Sequence, residues 1–414
     1  MRVCLIEAVE KPEDAGSIGV YFIEQAVKRA GHTVERIAWD CPRYCYDVEL
    51  ISVHHPANYA ILPRIPRHAR IRIIGGHVTY TNPRPIIPLC DAVCLGDGEA
   101  WIVDILAKLD ANRQYFDAVD RIDGGIVTRT WQHGAAIPPL NIGEPNVTPY
   151  LHQVDRYACW EIEIARGCPY QCAFCEIGHT VTWRTAALSS VVASLEMISP
   201  SQSRNIRVIA PEEATYPHYK ELCQHLRNRG FLFVSNGYRV DALLKASDDT
   251  IVSLQHAVRI GIDGLSEASR IRAKKPLTNA QILECVKFLQ RKGCSRYKFY
   301  QMYYPWDTDA DFDEWEQLFQ AIINANVRGI FTITWTPLFP LQGTPFAAQR
   351  GYNQQIERRI RAWHRQSFPQ GVIVSASRIY SRARYEHEYQ SANLDETGLL
   401  HNAVWIHPAW RKFE

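Results

Sequence analysis

The chain alternates short apolar runs with longer stretches in which apolar residues recur every three or four positions. Short runs rich in β-branched residues suit strands, and the 3.6-residue repeat suits helices that bury one face. Over residues 1–112, "RVCLIEA", "TVERIAW", "VELISV", "IRIIGG" and "DAVCLG" predict strands. "GVYFIEQAVKRAG", closed by a glycine, and "EAWIVDILAKL" predict helices between and after them. Strands alternating with helices imply a Rossmann-like, doubly wound parallel sheet. Its middle is abbreviated. "AWD" and "VELISV" are separated by little more than a turn, and "HHPANYAILPRIP" offers a short helix interrupted by prolines. Residues 113–158 are turn-rich and read as a connecting segment.

A second strand–helix series starts at residue 159. "WEIEIA", "NIRVIA", "FLFVSNG", "RIGIDG", "YKFYQMYY" and "FTITWTP" predict strands. "LSSVVASLEMI", "HYKELCQHLRNRG", "NAQILECVKFLQRKG" and "DFDEWEQLFQAIINA" predict helices. Six such units over residues 159–346 suit a partial (β/α)6 barrel better than a closed eightfold one. Chemistry in such folds gathers where the strands end. Tyr300, Tyr303, Trp306 and Trp335 are expected near that opening. Residues 347–414 form a C-terminal extension, read as a lid or substrate-contact region. It holds a basic helix with Arg358, Arg359, Arg361, Trp363 and Arg365, then Arg378, Arg382 and Arg384 among tyrosines.

Composition narrows the class. At 414 residues the chain exceeds one ordinary core. With 46% hydrophobic and 22% charged residues it has a globular balance, and a net charge of +2 favours no class of partner. No apolar run approaches the ~20 residues of a membrane span. "MRVCLIEAVEKPEDAG" lacks the features of a signal peptide, and twelve cysteines without an export signal suit reduced thiols in a cytoplasm. Cys41/Cys45 and Cys90/Cys94 each show a four-residue step, a spacing that a second metal site could use.

"IARGCPYQCAFCEIGHT" concentrates three thiols, Cys168, Cys172 and Cys175, in the loop that follows the first strand of the second series. His179 follows four residues later. The loop also holds Arg166, Gly167, Pro169, Tyr170 and Gln171, which suit a turn rather than a buried thiol cluster. Two metal chemistries stay open. One is zinc held by Cys₃His, as in a zinc-stabilised nucleic-acid-binding protein that would use the arginine- and aromatic-rich tail as its contact surface. The other is an iron–sulfur cluster, in which three cysteines leave one iron without a protein ligand.

"RGCPYQCAFC" resembles the C-x3-C-x2-C signature of the radical S-adenosylmethionine (radical SAM) superfamily, with Phe174 just before the third cysteine. "IGIDGLSEASRIRAKKPLT", "MYYPWDTDADFDEWEQLF" and "TPLFPLQGTPF" resemble the family's fourth, fifth and sixth strand endings. The resemblance implies an enzyme in which Cys168, Cys172 and Cys175 hold a [4Fe–4S] cluster and SAM docks on the open iron. One electron then splits SAM, and a 5′-deoxyadenosyl radical takes a hydrogen atom from a substrate. It also implies an electron donor such as flavodoxin or ferredoxin. Phe174 would neighbour the adenine. In place of the family's Gly-Gly-Glu stands "APEEAT", where Glu212 or Glu213 could receive the SAM ammonium. Ser235, Asn236, Arg239 and Asp263 are further cofactor candidates, each of which could equally serve as a cap or a solvated residue. No catalytic residue is assigned. The substrate is left open between a small molecule, such as a natural-product intermediate, a nucleic-acid-derived molecule and a peptide.

"IRIIGGHVTYTNPRPIIPLCDAVCLGDGEA" resembles the cobalamin-binding domain fused ahead of many radical SAM enzymes. Gly75, Gly76, His77 and Thr79, then Gly96, Asp97, Gly98 and Glu99, match its two glycine-rich strand ends. Asp97 replaces a glutamate, and no D-x-H-x-x-G supplies a cobalt ligand. The trimmed domain could keep the fold and lose the cobalamin.

Overall fold

The computed structural model describes residues 1–9, 16–42, 44–54, 58–59, 61–76, 79, 83, 86–117, 121–122, 125–128, 143–154, 157–246, 257–341, 344–349, 351–382 and 384–386. The chain divides into two compact units, residues 1–143 with 386–414, and residues 144–385.

In the first unit, β1 (Arg2–Glu7), α1 (Ile18–Arg29), β2 (Thr33–Arg36), β3 (Tyr46–Ser52), β4 (Ala69–Gly75), β5 (Ala92–Cys94) and α2 (Gly98–Ala111) follow the expected alternation. β6 (Arg121–Ile122) and β7 (Ile126–Thr128) extend the sheet, whose order is β2-β1-β3-β4-β5-β7-β6. The first five strands pair in parallel and β7 pairs antiparallel to β5. β1 is apolar on both faces because both are covered, as parallel sheets require. Val3 and Leu5 pack in one cluster with α1 and α2, while Cys4 and Ile6 belong to another. That second face is covered by single turns at Leu62–Arg64 and Ile87–Leu89 rather than by full helices. This is the abbreviation the prolines foretold.

The second unit opens with β8 (Tyr150–Val154) and β9 (Tyr157–Glu163), followed by β10 (Ala165–Arg166), α3 (Ile177–Thr180), β11 (Arg184–Thr185) and α4 (Leu188–Glu196). Next come β12 (Asn205–Ile209), α5 (Tyr219–Asn228), β13 (Leu232–Phe233), β14 (Tyr238–Arg239), α6 (Val240–Lys245) and β15 (Val258–Gly261). α7 (Glu267–Arg272), α8 (Asn279–Arg291), β16 (Arg296–Tyr303), α9 (Asp309–Asn324), β17 (Gly329–Pro337), α10 (Gln354–Trp363) and β18 (Val372–Ile379) complete it. A four-stranded sheet, β13-β12-β9-β8, and a five-stranded one, β14-β15-β16-β17-β18, form an open α/β barrel rather than a continuous one. The chain crosses from one sheet to the other after Phe233, where "FLFVSNG" gives only two strand residues.

β8 and β18 fall where the sequence predicted a connecting segment and a lid. β8 pairs antiparallel to β9, and β18 continues the parallel sheet beyond β17. Both are edge strands with mixed polarity, so neither shows the apolar run of a central strand. Inner strands alternate instead. In β16, Tyr297, Phe299 and Tyr303 belong to the large core, with Trp315 and Phe319 of α9, while Lys298, Tyr300 and Met302 take the other face. α8 and α9 each start with a capping box, Thr278 with Gln281 and Thr308 with Asp311.

Candidate functional site

The cysteine loop leaves the sheet through a minimal ribbon in which Ala165 and Arg166 of β10 pair with Thr185 and Arg184 of β11. Inside it the chain doubles back tightly. Gly167 has φ 71°, and a Cβ there would stand 2.5 Å from the Val181 and Thr182 carbonyls. A Cβ on Gly178 would overlap the Tyr170 carbonyl. Only glycine permits both approaches. Two further bonds pin the loop: Ala173 N donates to the Ala273 carbonyl (2.8 Å), and Phe346 N donates to the Ala173 carbonyl (3.1 Å). Beneath it Phe174 packs against an apolar group that includes Ala173, Tyr304, Leu338 and Phe346.

Cys172 is buried, and Cys168 and Cys175 are partly exposed. Burial raises all three thiols above the ordinary range, Cys175 to about 11, and Arg239 and Lys275 oppose that rise at Cys172. Arg239 Nη1 lies 3.1 Å from Cys172 Sγ. The same guanidinium is held by both Asp241 oxygens at 3.0 and 3.1 Å and stacks 3.8 Å from the centre of the Tyr170 ring. A fixed cation aimed at a sulfur favours the thiolate that a metal needs. The donor set therefore fits an iron–sulfur cluster, in which each thiolate takes a different iron. Among the described residues no three His, Cys, Asp or Glu side chains converge on a point that could hold a metal ion. His179 Nε2 instead hydrogen-bonds the Cys172 carbonyl at 3.1 Å.

Beside the loop lies a cavity of about 380 Å³ whose lining includes Glu212, Asn236, Arg239, Asp263, Lys275 and Tyr300. Glu212 Oε2 accepts from Arg239 N at 2.6 Å, and Oε1 accepts from Ala214 N at 3.3 Å. Burial outweighs these bonds and pushes the Glu212 carboxyl up to about 7. Asp263, at φ 56°, accepts from Lys275 Nζ at 2.6 Å, while its carbonyl accepts from Tyr304 Oη at 2.8 Å. Lys275 was visible only as part of "AKKPLT"; its pairing with Asp263 depends on how α7 returns to the strand end.

Other candidates have internal roles. Glu213 is fully buried, pushed up by burial to about 8, and accepts from Asn236 N at 2.5 Å. Asn236 Nδ2 donates to the Val208 carbonyl at 2.9 Å, and the Ser235 carbonyl accepts from Arg259 at 2.7 Å. These bonds fix the turn that carries Arg239. The structure corrects the placing of two aromatics. Tyr303 and Trp335 do not face the opening; they lie in the core, Trp335 edge-on to Trp315 with ring centres 5.2 Å apart. In the basic helix Arg359 pairs with Asp309, Asp313 and Glu316, and Arg361 with Glu357, so these two cations answer acids of the protein itself. "VWIHPAWRKFE" lies outside the described residues.

In the first unit Gly75, Gly76 and Gly98 meet protein. Gly76 has φ 121°, and a Cβ there would overlap the Val53 carbonyl. A Cβ on Gly75 would stand 3.2 Å from Cys94 Cβ, and one on Gly98 2.8 Å from Ile23 Cδ1. Gly96 has φ 150°, and Glu99 stands in the first turn of α2. Thr79 Oγ1 donates to the Cys94 carbonyl at 2.5 Å and the Gly76 carbonyl at 2.8 Å; His77 lies outside the described residues. At the start of α1, Glu7 accepts from Ser17 N at 3.0 Å and from Gly16 N, and His54 Nε2 lies 3.0 Å from it. Burial opposes ionisation of Glu7, but these bonds outweigh it and hold the carboxyl near 2. The anion position at that helix start is thus filled from within. Gly75, Gly76 and Gly98 are thus each backed closely by protein. In the second of the two cysteine steps, Cys90 Sγ donates to the Ile86 carbonyl at 3.3 Å, and Cys94 is buried against Trp101.

Comparison with known proteins agrees with the loop. Residues 162–340 match the family model of the radical SAM superfamily. That stretch of the second unit is a radical SAM domain, the domain of an enzyme. An uncharacterized protein of Methanocaldococcus jannaschii is 24% identical over 373 residues, 86% of this chain and 78% of that protein. The anaerobic magnesium-protoporphyrin IX monomethyl ester cyclase of Rubrivivax gelatinosus is 25% identical over 256 residues, 54% of this chain and 44% of the cyclase. Among solved structures, the radical SAM methyltransferase TsrM of Kitasatospora setae superposes with TM-score 0.58 at 14% identity, covering 99% of this chain and 89% of TsrM. The cobalamin-dependent radical SAM enzyme OxsB gives 0.57 at 14% identity, covering 87% of this chain and 61% of OxsB. The radical SAM chain thus shares the two-part α/β fold of these enzymes. Its family implies a [4Fe–4S] cluster and SAM. Among the described residues no helix is long and apolar enough to cross a membrane.

Proposed function

We propose that the enzyme cleaves SAM reductively and takes a hydrogen atom from a small molecule. The observation that carries this reading is the meeting of three thiols, held on a glycine-folded loop, with a polar cavity lined by Glu212, Arg239, Asp263 and Lys275. When bound at Cys168, Cys172 and Cys175, the cluster supplies the single electron that opens the SAM sulfonium bond. The polypeptide does the positioning. Glu212, ionised above about 7, offers a buried carboxylate to the SAM ammonium. Lys275 fixes Asp263 as an acceptor for hydroxyl donors. Arg239 steadies Cys172 and, through its backbone N–H, Glu212. The apolar group under Phe174 limits water beside the loop.

In this reading the first unit holds no corrinoid, because Gly75, Gly76 and Gly98 pack on protein. A flavodoxin- or ferredoxin-class reductant supplies the electron. None of the twelve cysteines is joined in a disulfide, which suits a reducing cytoplasm. Metal and corrinoid analysis of chain purified without oxygen tests the reading. About four irons per chain, no zinc and no corrinoid are expected. One zinc per chain without iron would return the Cys₃His alternative, and one corrinoid per chain would overturn the assignment of the first unit.

A further inference from the structure

One row of side chains in the second unit is untouched by that chemistry. β15, β16, β17 and β18 run in register, so Arg259, Lys298, Thr332 and Ser375 stand abreast across four strands. They occupy the face opposite the one that buries Ile260, Phe299 and Ile333 in the core. None of the four is buried. Two residues further along β15 and β16, on the same face, Gly261 and Tyr300 line the cavity beside the cysteine loop. The row therefore shares the cavity's face of the sheet, two residues nearer the start of the strands.

Its charge is unbalanced. Like charges directly opposite on neighbouring strands destabilise a sheet, yet Arg259 and Lys298 are register partners. Arg259 Nη1 donates to a neutral carbonyl, that of Ser235, at 2.7 Å. Lys298 Nζ lies 5.2 Å from the centre of the Tyr300 ring. Among the described residues neither cation has a carboxylate within ion-pair distance. In the other sheet of this unit Arg207, by contrast, is matched by Glu161 at 2.8 Å. Beyond the two cations the row continues as hydroxyls, with Thr332 Oγ1 3.3 Å from Ser375 Oγ. Two adjacent cations flanked by hydroxyl donors suit a carboxylate or phosphate, which accepts several charge-assisted bonds at once.

We infer that this row grips the anionic group of the substrate, so that the substrate is a small molecule bearing a carboxylate or phosphate whose uncharged part extends toward the cysteine loop. Calling the ligand the substrate rests on the radical reading above; the anion site itself does not.

The test is calorimetric titration of the full-length, cluster-loaded chain at low salt with inorganic phosphate and, separately, with succinate. At least one should bind once per chain and raise the melting temperature. Phosphate alone would indicate a phosphate ester, and succinate alone a carboxylate. Lys298→Met and Arg259→Gln should each weaken binding about tenfold or more, while Lys298→Arg retains it. Without anion, Lys298→Met should melt no lower than the wild type, since the repulsion is relieved. Absence of binding by either anion, or equal affinity in Lys298→Met and Arg259→Gln, would overturn the proposal. SAM cleavage by the same wild-type preparation reports on the radical reading separately.

Discussion

Arg239 shows how much one residue can join. Its side chain reaches a cysteine sulfur, an aspartate and an aromatic face, while its backbone N–H meets Glu212. The sequence marked it as a cofactor candidate but could not show that its guanidinium is already engaged, because Cys172 and Arg239 are 67 positions apart. A cation donating to a ligand sulfur stabilises the more negative, reduced cluster. Arg239→Gln should therefore lower the midpoint potential in an EPR-monitored redox titration, and an unchanged potential would refute the contact's role. Glu212 sets a pH dependence. Its carboxyl, raised by burial to about 7, is neutral below that pH and cannot pair with an ammonium. SAM affinity should fall about tenfold per pH unit below about 7 and level off above it. Glu212→Gln should bind about ten- to a hundredfold more weakly and lose the slope. A slope that persists in Glu212→Gln would assign it elsewhere.

At the level of elements, apolar periodicity located the inner strands and long helices because a parallel sheet covered on both faces leaves little choice of residue. Edge strands escaped it. β8 and β18 each have a neighbour on one side only, so Tyr150–Val154 and Val372–Ile379 keep the polar residues that disguised them. The same limit hid the row from Arg259 to Ser375, which exists only through register between strands. The cysteine loop was legible from its spacing, yet its shape depends on Gly178, which no spacing rule singles out. Gly178→Ala should displace the Tyr170 turn and lose most of the iron while far-UV circular dichroism stays native. Full iron retention would mean that the turn yields without cost to the cluster.

Across the whole molecule, the two-part organisation was readable because each series of strands and helices has its own apolar rhythm. The boundary was less so. Residues 144–154 belong with the barrel unit, since β8 pairs with β9. Function was legible to the depth of one motif. The three thiols and their place after the first barrel strand pointed to the chemistry, whereas what Gly75, Gly76 and Gly98 touch was not visible in the sequence. Those contacts are backbone carbonyls and side chains brought close by folding alone.

The most direct measurement concerns SAM itself. The reconstituted chain, kept anaerobic with a strong reductant, is incubated with SAM, and methionine and 5′-deoxyadenosine are quantified beside the Cys172→Ala variant. The two products are expected in equal amounts from the wild type and in neither case from the variant. Failure of the iron-loaded wild type to form 5′-deoxyadenosine, or equal formation by Cys172→Ala, would contradict the account.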